Sequence, residues 1–223
     1  MKIVSIILAR GASKGLKNKN ILNFCGKPLI VHSIEASLQS KLVNKTYVSS
    51  DCNNILDISL NHGAVGIKRP QDYALDDSPS ELALMHFLSV VEEKPDLVVF
   101  LQPTSPLRTA QDIDEIIETL LRDNLDSVFS ACKAEDLCLW KVFQNDLLES
   151  FSYDHHHRKR RQEFDKMVIE NGSIYVFKPA VLQNHNNRLG GKIGYHLLDS
   201  WKVFEIDNIF DFELCEFIYD KRM

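Results

Sequence analysis

Between Ala9 and Asn20 the chain places four cationic side chains, Arg10, Lys14, Lys17 and Lys19, around Gly11, Ser13 and Gly15. Small residues let a backbone approach a ligand closely and turn its N–H groups toward an anion. Arg and Lys neutralise phosphate oxygens, Arg through a planar fork and Lys as a compact charge. The chemistry this stretch suits is the holding of a triphosphate. It is not a Walker A loop, because GxxxxGK followed by Ser or Thr is absent, and it is not a GxGxxG fingerprint. A solvated basic loop is the competing reading, since charge runs are commonly surface features. Position argues against that reading. The stretch leaves the apolar run Ile3 to Leu8 and continues almost to Pro28, longer than an ordinary strand-to-helix connection.

The elements that must position this loop follow from periodicity. Ile3 to Leu8 reads as a strand buried on both faces. Pro28 to Leu38 reads as a helix, with Pro near its start and Leu29, Ile30, Ile34 and Leu38 along one side. Strands are expected at Thr46 to Ser50, Ala64 to Ile67, Leu97 to Leu101 and Ser127 to Ala131. Helices are expected at Asn53 to His62, capped by Asn53 or Asn54 and stopped by Gly63, at Ser80 to Glu93, and at Asp112 to Arg122. This alternation predicts an α/β fold, a Rossmann-like, mostly parallel sheet with helices on both faces. Ligands of such sheets sit beyond the carboxyl ends of the strands. The loops after Leu8, Ser50 and Leu101 should then line one crevice, with Asp51 facing it or serving as a turn residue.

The pattern changes after Lys133. Leu139 to Phe143 reads as an antiparallel strand, while Ser150 to Lys166 is polar, rich in His and Arg, and without a clear period. Strands return at Ser173 to Phe177 and Val203 to Ile206, and Ile209 to Tyr219 closes the chain as an amphipathic helix. The whole of 1–223 is expected to form one domain.

Composition bounds the function. The chain has 223 residues and a formal net charge of −5, which argues against general nucleic-acid binding. Its cysteines are Cys25, Cys52, Cys132, Cys138 and Cys215, an odd number with no CxxC pair, so neither a disulfide framework nor a thiolate zinc site is expected. No apolar run is long enough to span a bilayer, and Arg10 directly after the first apolar run speaks against a cleavable leader. A cytoplasmic protein with no membrane partner is expected.

Arg10-Gly11-Ala12-Ser13-Lys14-Gly15, with Lys19-Asn20 beyond it, resembles the signature of the CMP-sialic acid synthetases, the acylneuraminate cytidylyltransferases. Leu101-Gln102-Pro103-Thr104-Ser105-Pro106-Leu107-Arg108 is a second match. Arg161-Gln162 followed by Asn171-Gly172-Ser173-Ile174-Tyr175 is a third, and Glu205-Ile206-Asp207 with Asp211 is a fourth. They stand in the family's order and span nearly the whole chain. The resemblance implies a Rossmann-like nucleotidyltransferase fold with a small protruding dimerisation region, here at about 132–166, and a homodimer. It implies that the anomeric hydroxyl of an acidic nine-carbon sugar attacks the α-phosphorus of CTP and pyrophosphate leaves.

By that resemblance, Arg10, Gly11, Ser13, Lys14, Lys19, Asn20, Arg69, Asp77 and Ser80 lie with the nucleotide. Arg10, Lys19 and Asp207 carry the catalysis, by alignment and charge neutralisation. Asp77 and Ser78 serve equally well as a helix cap. Gln102, Ser105, Arg108, Arg161, Gln162, Asn171 and Tyr175 lie on the sugar side, where hydroxyls need hydrogen bonds and a carboxylate needs a cation. Tyr175 reads equally as a core strand residue. Glu205 and Asp207 would share one face of an extended strand end and offer hard oxygen ligands to Mg²⁺, which keeps several waters and bridges to phosphate. The family usually has Asp where this chain has Glu205. Asp211 is the alternative ligand, or a residue of the first turn of a helix. His155, His156 and His157 form no metal motif and are expected in an arm near the active site.

Overall fold

The apolar run at the N-terminus forms β1 (Ile3–Leu8), an interior strand of the main sheet. The computed structural model describes residues 1–12, 15–75, 77–134, 138–158, 160, 163 and 166–223. After β1 and its long loop come a small hairpin, β2 (Asn23–Phe24) and β3 (Lys27–Pro28), and α1 (Leu29–Gln39). Then follow β4 (Lys45–Ser50), α2 (Asn53–Asn61), β5 (Val65–Lys68), α3 (Ser80–Val90) and β6 (Leu97–Leu101). The second half contains α4 (Ala110–Arg122), β7 (Ser127–Lys133), β8 (Trp140–Val142), β9 (Leu148–Ser150), β10 (Val168–Phe177), α5 (Pro179–His185), β11 (Ile193–Leu197) and α6 (Ile209–Arg222).

Seven strands form one sheet in the order β11-β7-β10-β6-β1-β4-β5. All neighbouring pairs are parallel except those of β10, which runs antiparallel to β6 and β7. Alternate residues of each strand point to opposite faces. Ile3, Ile7, Val48 and Val99 pack under α1, α2 and α4. Val4, Ile6, Tyr47 and Phe100 pack under α3 and α5. Each buried side chain of this size stabilises the fold by about 1.5–3 kcal/mol. A third cluster, around Phe24, Leu107 and Ile206, seats α6 beside the sheet.

The chain leaves β1 for β4 and β5 on one side, then returns to β6 on the other side. The order therefore reverses between β1 and β6, the place where a crevice opens in such sheets.

Two local expectations change. No strand forms at 203–206. Ser200–Val203 make a 3-10 turn, and the Ile206 N–H donates to the Thr104 carbonyl at 2.8 Å while its side chain enters the third cluster. Neither Asn53 nor Asn54 caps α2: Cys52 holds the cap position and makes no side-chain cap bond. Gly63 does end that segment, with φ at +86°. β8 and β9 pair with each other antiparallel. Among the described residues, no helix is long and apolar enough to cross a membrane.

Candidate functional site

A cleft of about 530 Å³ opens at the carboxyl ends of β1 and β6. Leu8 and Phe100 lie at its base, and Arg10, Gly15, Lys19 and Asn20 bring the cationic loop into it. The loop is tied at its root. The Gly11 N–H donates to Asp51 Oδ1 at 2.9 Å, and Asn20 Nδ2 donates to the Arg10 carbonyl at 3.0 Å. Arg10 Nη1 reaches the Leu75 carbonyl at 3.3 Å across the opening.

The far end of the chain meets this loop. Lys19 begins a 3-10 turn that follows Asn18, whose φ is +58°. Its Nζ lies 3.0 Å from Asp207 Oδ1 and donates to the Ile206 carbonyl at 2.7 Å. Gly15 packs so closely that a Cβ there would stand 2.2 Å from the Asp207 carbonyl oxygen. This contact was not legible as a motif; the glycine itself was the signal.

Arg69 enters from the end of β5, where its N–H donates to the Ser50 carbonyl at 2.8 Å. Its side chain lines the cleft but is only 6% exposed, and its Nε and Nη2 make no hydrogen bond. Burial holds its pKa below the ordinary arginine value, Arg10 adds to this, and Asp51 opposes it. A desolvated cation with unused donors is costly to maintain, and an anion in the cleft relieves that cost. Tyr73 and Leu75, from the connection after Arg69-Pro70, complete this wall and belong to no motif.

The acids fall into different roles. Asp207 lines the cleft with 68% of its side chain exposed. Glu205 is exposed, and desolvation by the groups around its carboxylate together with the nearby Asp207 raises its pKa. Asp211 accepts from the N–H groups of Asp207 and Asn208 at 3.0 and 3.1 Å, and Asn208 Oδ1 accepts from the Asp211 N–H at 3.1 Å. Asp211 is thus half of a capping box on α6. Among the described residues no three His, Cys, Asp or Glu side chains gather as a complete metal cage. Mg²⁺ does not require one, because it takes one or two carboxylates and completes its shell with water and phosphate. Asp207 and the adjacent Glu205 fit that donor set.

On the other wall, Gln102 lines the cleft. A Cβ on Gly172, whose φ is +68°, would meet the Gln102 amide at 3.1 Å and Glu205 Oε2 at 3.2 Å, so these three groups adjoin. Ser80, the first residue of α3, also lines the cleft. Asp77 and Ser78 make no cap bond to that helix. Four residues expected on the sugar side are placed elsewhere. Arg108 is buried, and its guanidinium donates to Ser33 Oγ at 3.2 Å and to the Gln102 carbonyl, propping the Gln102 loop from behind. Ser105 is buried, with no hydrogen bond from its hydroxyl. Asn171 is consumed by the fold: its Nδ2 donates to the Lys202 carbonyl at 3.0 Å and its Oδ1 accepts from Ser130 Oγ at 2.6 Å. Tyr175 is buried behind Phe100, and its hydroxyl donates to Glu170. Ser13, Lys14, Arg161 and Gln162 lie outside the described residues. His155–His157 are exposed, with His157 Nδ1 2.8 Å from Asp154.

The family model described as cytidylyltransferase matches residues 4–192. N-acylneuraminate cytidylyltransferase A of Danio rerio is 31% identical, over 96% of this chain and 50% of its own length. Pseudaminic acid cytidylyltransferase of Campylobacter jejuni is 26% identical, over 98% of this chain and 97% of its own. The chain thus spans about half of the first relative and nearly all of the second. Among solved structures, a CMP:2-keto-3-deoxy-manno-octonic acid synthetase complexed with CTP superposes with a TM-score of 0.76 at 20% identity, covering 100% of both chains. That likeness bears on the fold.

Proposed function

The chain belongs to the cytidylyltransferase family, and from that premise we propose that it transfers CMP from CTP to the anomeric hydroxyl of a nonulosonic acid, releasing pyrophosphate. The observation that carries the reading is the meeting of Lys19 and Asp207 at 3.0 Å in a cleft that also holds the buried Arg69, whose Nε and Nη2 have no hydrogen-bond partner among the described residues. Arg69, Arg10 and Lys19 bind the triphosphate. Lys19 stabilises the charge that grows on the pyrophosphate as it leaves, and Asn20 holds the loop at that distance. Gln102, supported from behind by Arg108, orients the acceptor. Little covalent work falls to the protein in such a transfer; alignment and charge supply the rate. Asp207, with Glu205 beside it, would hold Mg²⁺. When bound, the ion neutralises phosphate charge and fixes the phosphate geometry.

The acceptor is an N-acylneuraminate or a related acid such as pseudaminic or legionaminic acid; full-length similarity to the Campylobacter enzyme favours including pseudaminic acid. The protein acts in the cytoplasm as a homodimer. The exposed apolar residues of the β8–β9 segment, among them Trp140, Val142, Leu148 and Phe151, support a second copy there. Incubation with CTP, Mg²⁺ and a panel of sialic, legionaminic, pseudaminic and 3-deoxy-octulosonic acids tests the proposal. Mass spectrometry should detect a CMP-sugar with one or more of the nine-carbon acids; product with none of them, or with 3-deoxy-octulosonic acid alone, would refute it.

A further inference from the structure

Just beyond α5, Arg188 lies over Phe100, at the base of the cleft, and over Tyr175 behind it. Its guanidinium carbon lies 4.4 Å from the Tyr175 ring centre and 5.2 Å from that of Phe100. The two rings are register partners on β10 and β6, stacked 5.7 Å apart, and Phe100 reaches the cleft. One edge of the guanidinium faces Glu81, with Nη1 3.1 Å from Oε1 and no hydrogen bond made by that nitrogen. Glu81 follows Ser80, which lines the cleft. Ring contact holds an arginine flat, and a planar guanidinium carries five N–H donors in fixed directions. The group is thus fixed in orientation, stands over Phe100 at the base of the cleft, and has more donors than Glu81 engages.

We infer that Arg188 is a specificity-determining residue for the acceptor, receiving a neutral carbonyl oxygen of the acylamino kind carried on the sugar ring. The inference rests on the nonulosonic acid reading above. Charge selects the neutral group. Glu81 faces the guanidinium, and Glu170 sits on the hydroxyl of the ring beneath it. A carboxylate arriving there would be repelled by two acids, whereas an uncharged oxygen is repelled far less and still accepts from the guanidinium. Geometry agrees, because the acid group of a nonulosonic acid is bonded to the anomeric carbon and must remain with the reacting phosphate beside Arg10 and Lys19. The acyl substituent lies further along the ring.

The test compares two acceptors that the wild-type enzyme turns over and that differ at one ring carbon, acylamino in one and hydroxyl in the other. Arg188→Met keeps the stem over the rings and removes the donors. It should lower kcat/KM for the acylated acceptor by about 10- to 100-fold, chiefly through KM, the effect of unpairing a polar group in a binding site. KM for CTP and turnover of the hydroxyl acceptor should stay unchanged. Equal losses on both acceptors, or no loss on either, would overturn the inference. If Arg188→Met fails to fold, Arg188→Lys, which keeps charge but not the fork, must show the same preference against the acylated acceptor or the inference falls. A wild-type enzyme active on the acids beside an indifferent variant refutes this inference alone. A wild-type enzyme inactive on all of them refutes the reading beneath it as well.

Discussion

Gly15 is the position where one methyl group should separate catalysis from stability. A Cβ there would stand 2.2 Å from the Asp207 carbonyl oxygen. Carbon and oxygen approach no closer than about 3.3 Å even in favourable contacts, so loop and acid must part by about 1 Å. The obstructing atom belongs to the backbone and cannot rotate aside. Lys19 is four residues along the same loop, and its 3.0 Å contact with Asp207 would open. A displacement of that size in a group aligning a transfer costs on the order of 10²-fold in rate. Gly15 itself is exposed, so Gly15→Ala removes no buried surface, and the strain should lower the melting temperature far less than it lowers the rate. Pyrophosphate release measured at limiting CTP, beside thermal unfolding, reads both quantities. Unchanged kcat/KM would refute the reasoning, as would a loss of activity that only tracks a lower melting temperature.

Two further outcomes concern the scaffold. His32 is buried, its Nε2 is 2.8 Å from the Phe24 carbonyl, and burial lowers its pKa from 6.5 to about 4. The unfolded chain therefore takes up this proton first, and stability is lost as pH falls from 6.5 toward 4, by about 3 kcal/mol in all. Urea unfolding across that range should show a slope that His32→Gln reduces; an identical slope in the variant would exclude the histidine as its source. Lys202 is bonded to both oxygens of Asp112 at 2.7 Å, with side chains 8% and 9% exposed. Lys202→Met leaves a buried carboxylate without its cation and should cost about 3–5 kcal/mol in urea unfolding. A cost below about 1 kcal/mol would mean that the pair behaves like one on the surface.

The parts of the fold that sequence made legible were those whose apolar pattern is dictated by burial. β6 is a continuous apolar run, and β1 is one but for the buried Ser5, because helices cover both of their faces. α4 shows Ile113, Ile116, Ile117 and Leu120 on one side because only that side meets the sheet. β11 escaped notice because it is an edge strand of mixed character, with Ile193, Tyr195 and Leu197 exposed and Gly194 packed on Leu125. α5 has only 7 residues, too few for a helical period to show. Val203 and Ile206 look like a strand because Ile206 is buried, yet that burial is against α6 and Phe24 rather than within the sheet.

The site was legible to the same degree and for the same reason. Motifs named the loops that approach the cleft but not the direction of each side chain. Arg108 and Gln102 share a loop, and one props what the other presents. Asn171 stands where β10 changes register, and its amide is spent on that irregularity. Arg188 carried no motif, and its place beside the cleft depends on the pairing of Tyr175 with Phe100 across two strands distant in sequence.

The central claim is that the loop after β1 and the acid before α6 act as one unit on CTP. A double-mutant cycle on Lys19→Ala and Asp207→Asn, read as kcat/KM for CTP at saturating Mg²⁺, addresses it most directly. Each single change should lower the rate by on the order of 10²- to 10³-fold, as the loss of one charge-stabilising group does. The double variant should fall little below the worse single one, because groups that serve one transition state are not independent. Losses that simply multiply would mean that the two residues act separately, and the account would fail.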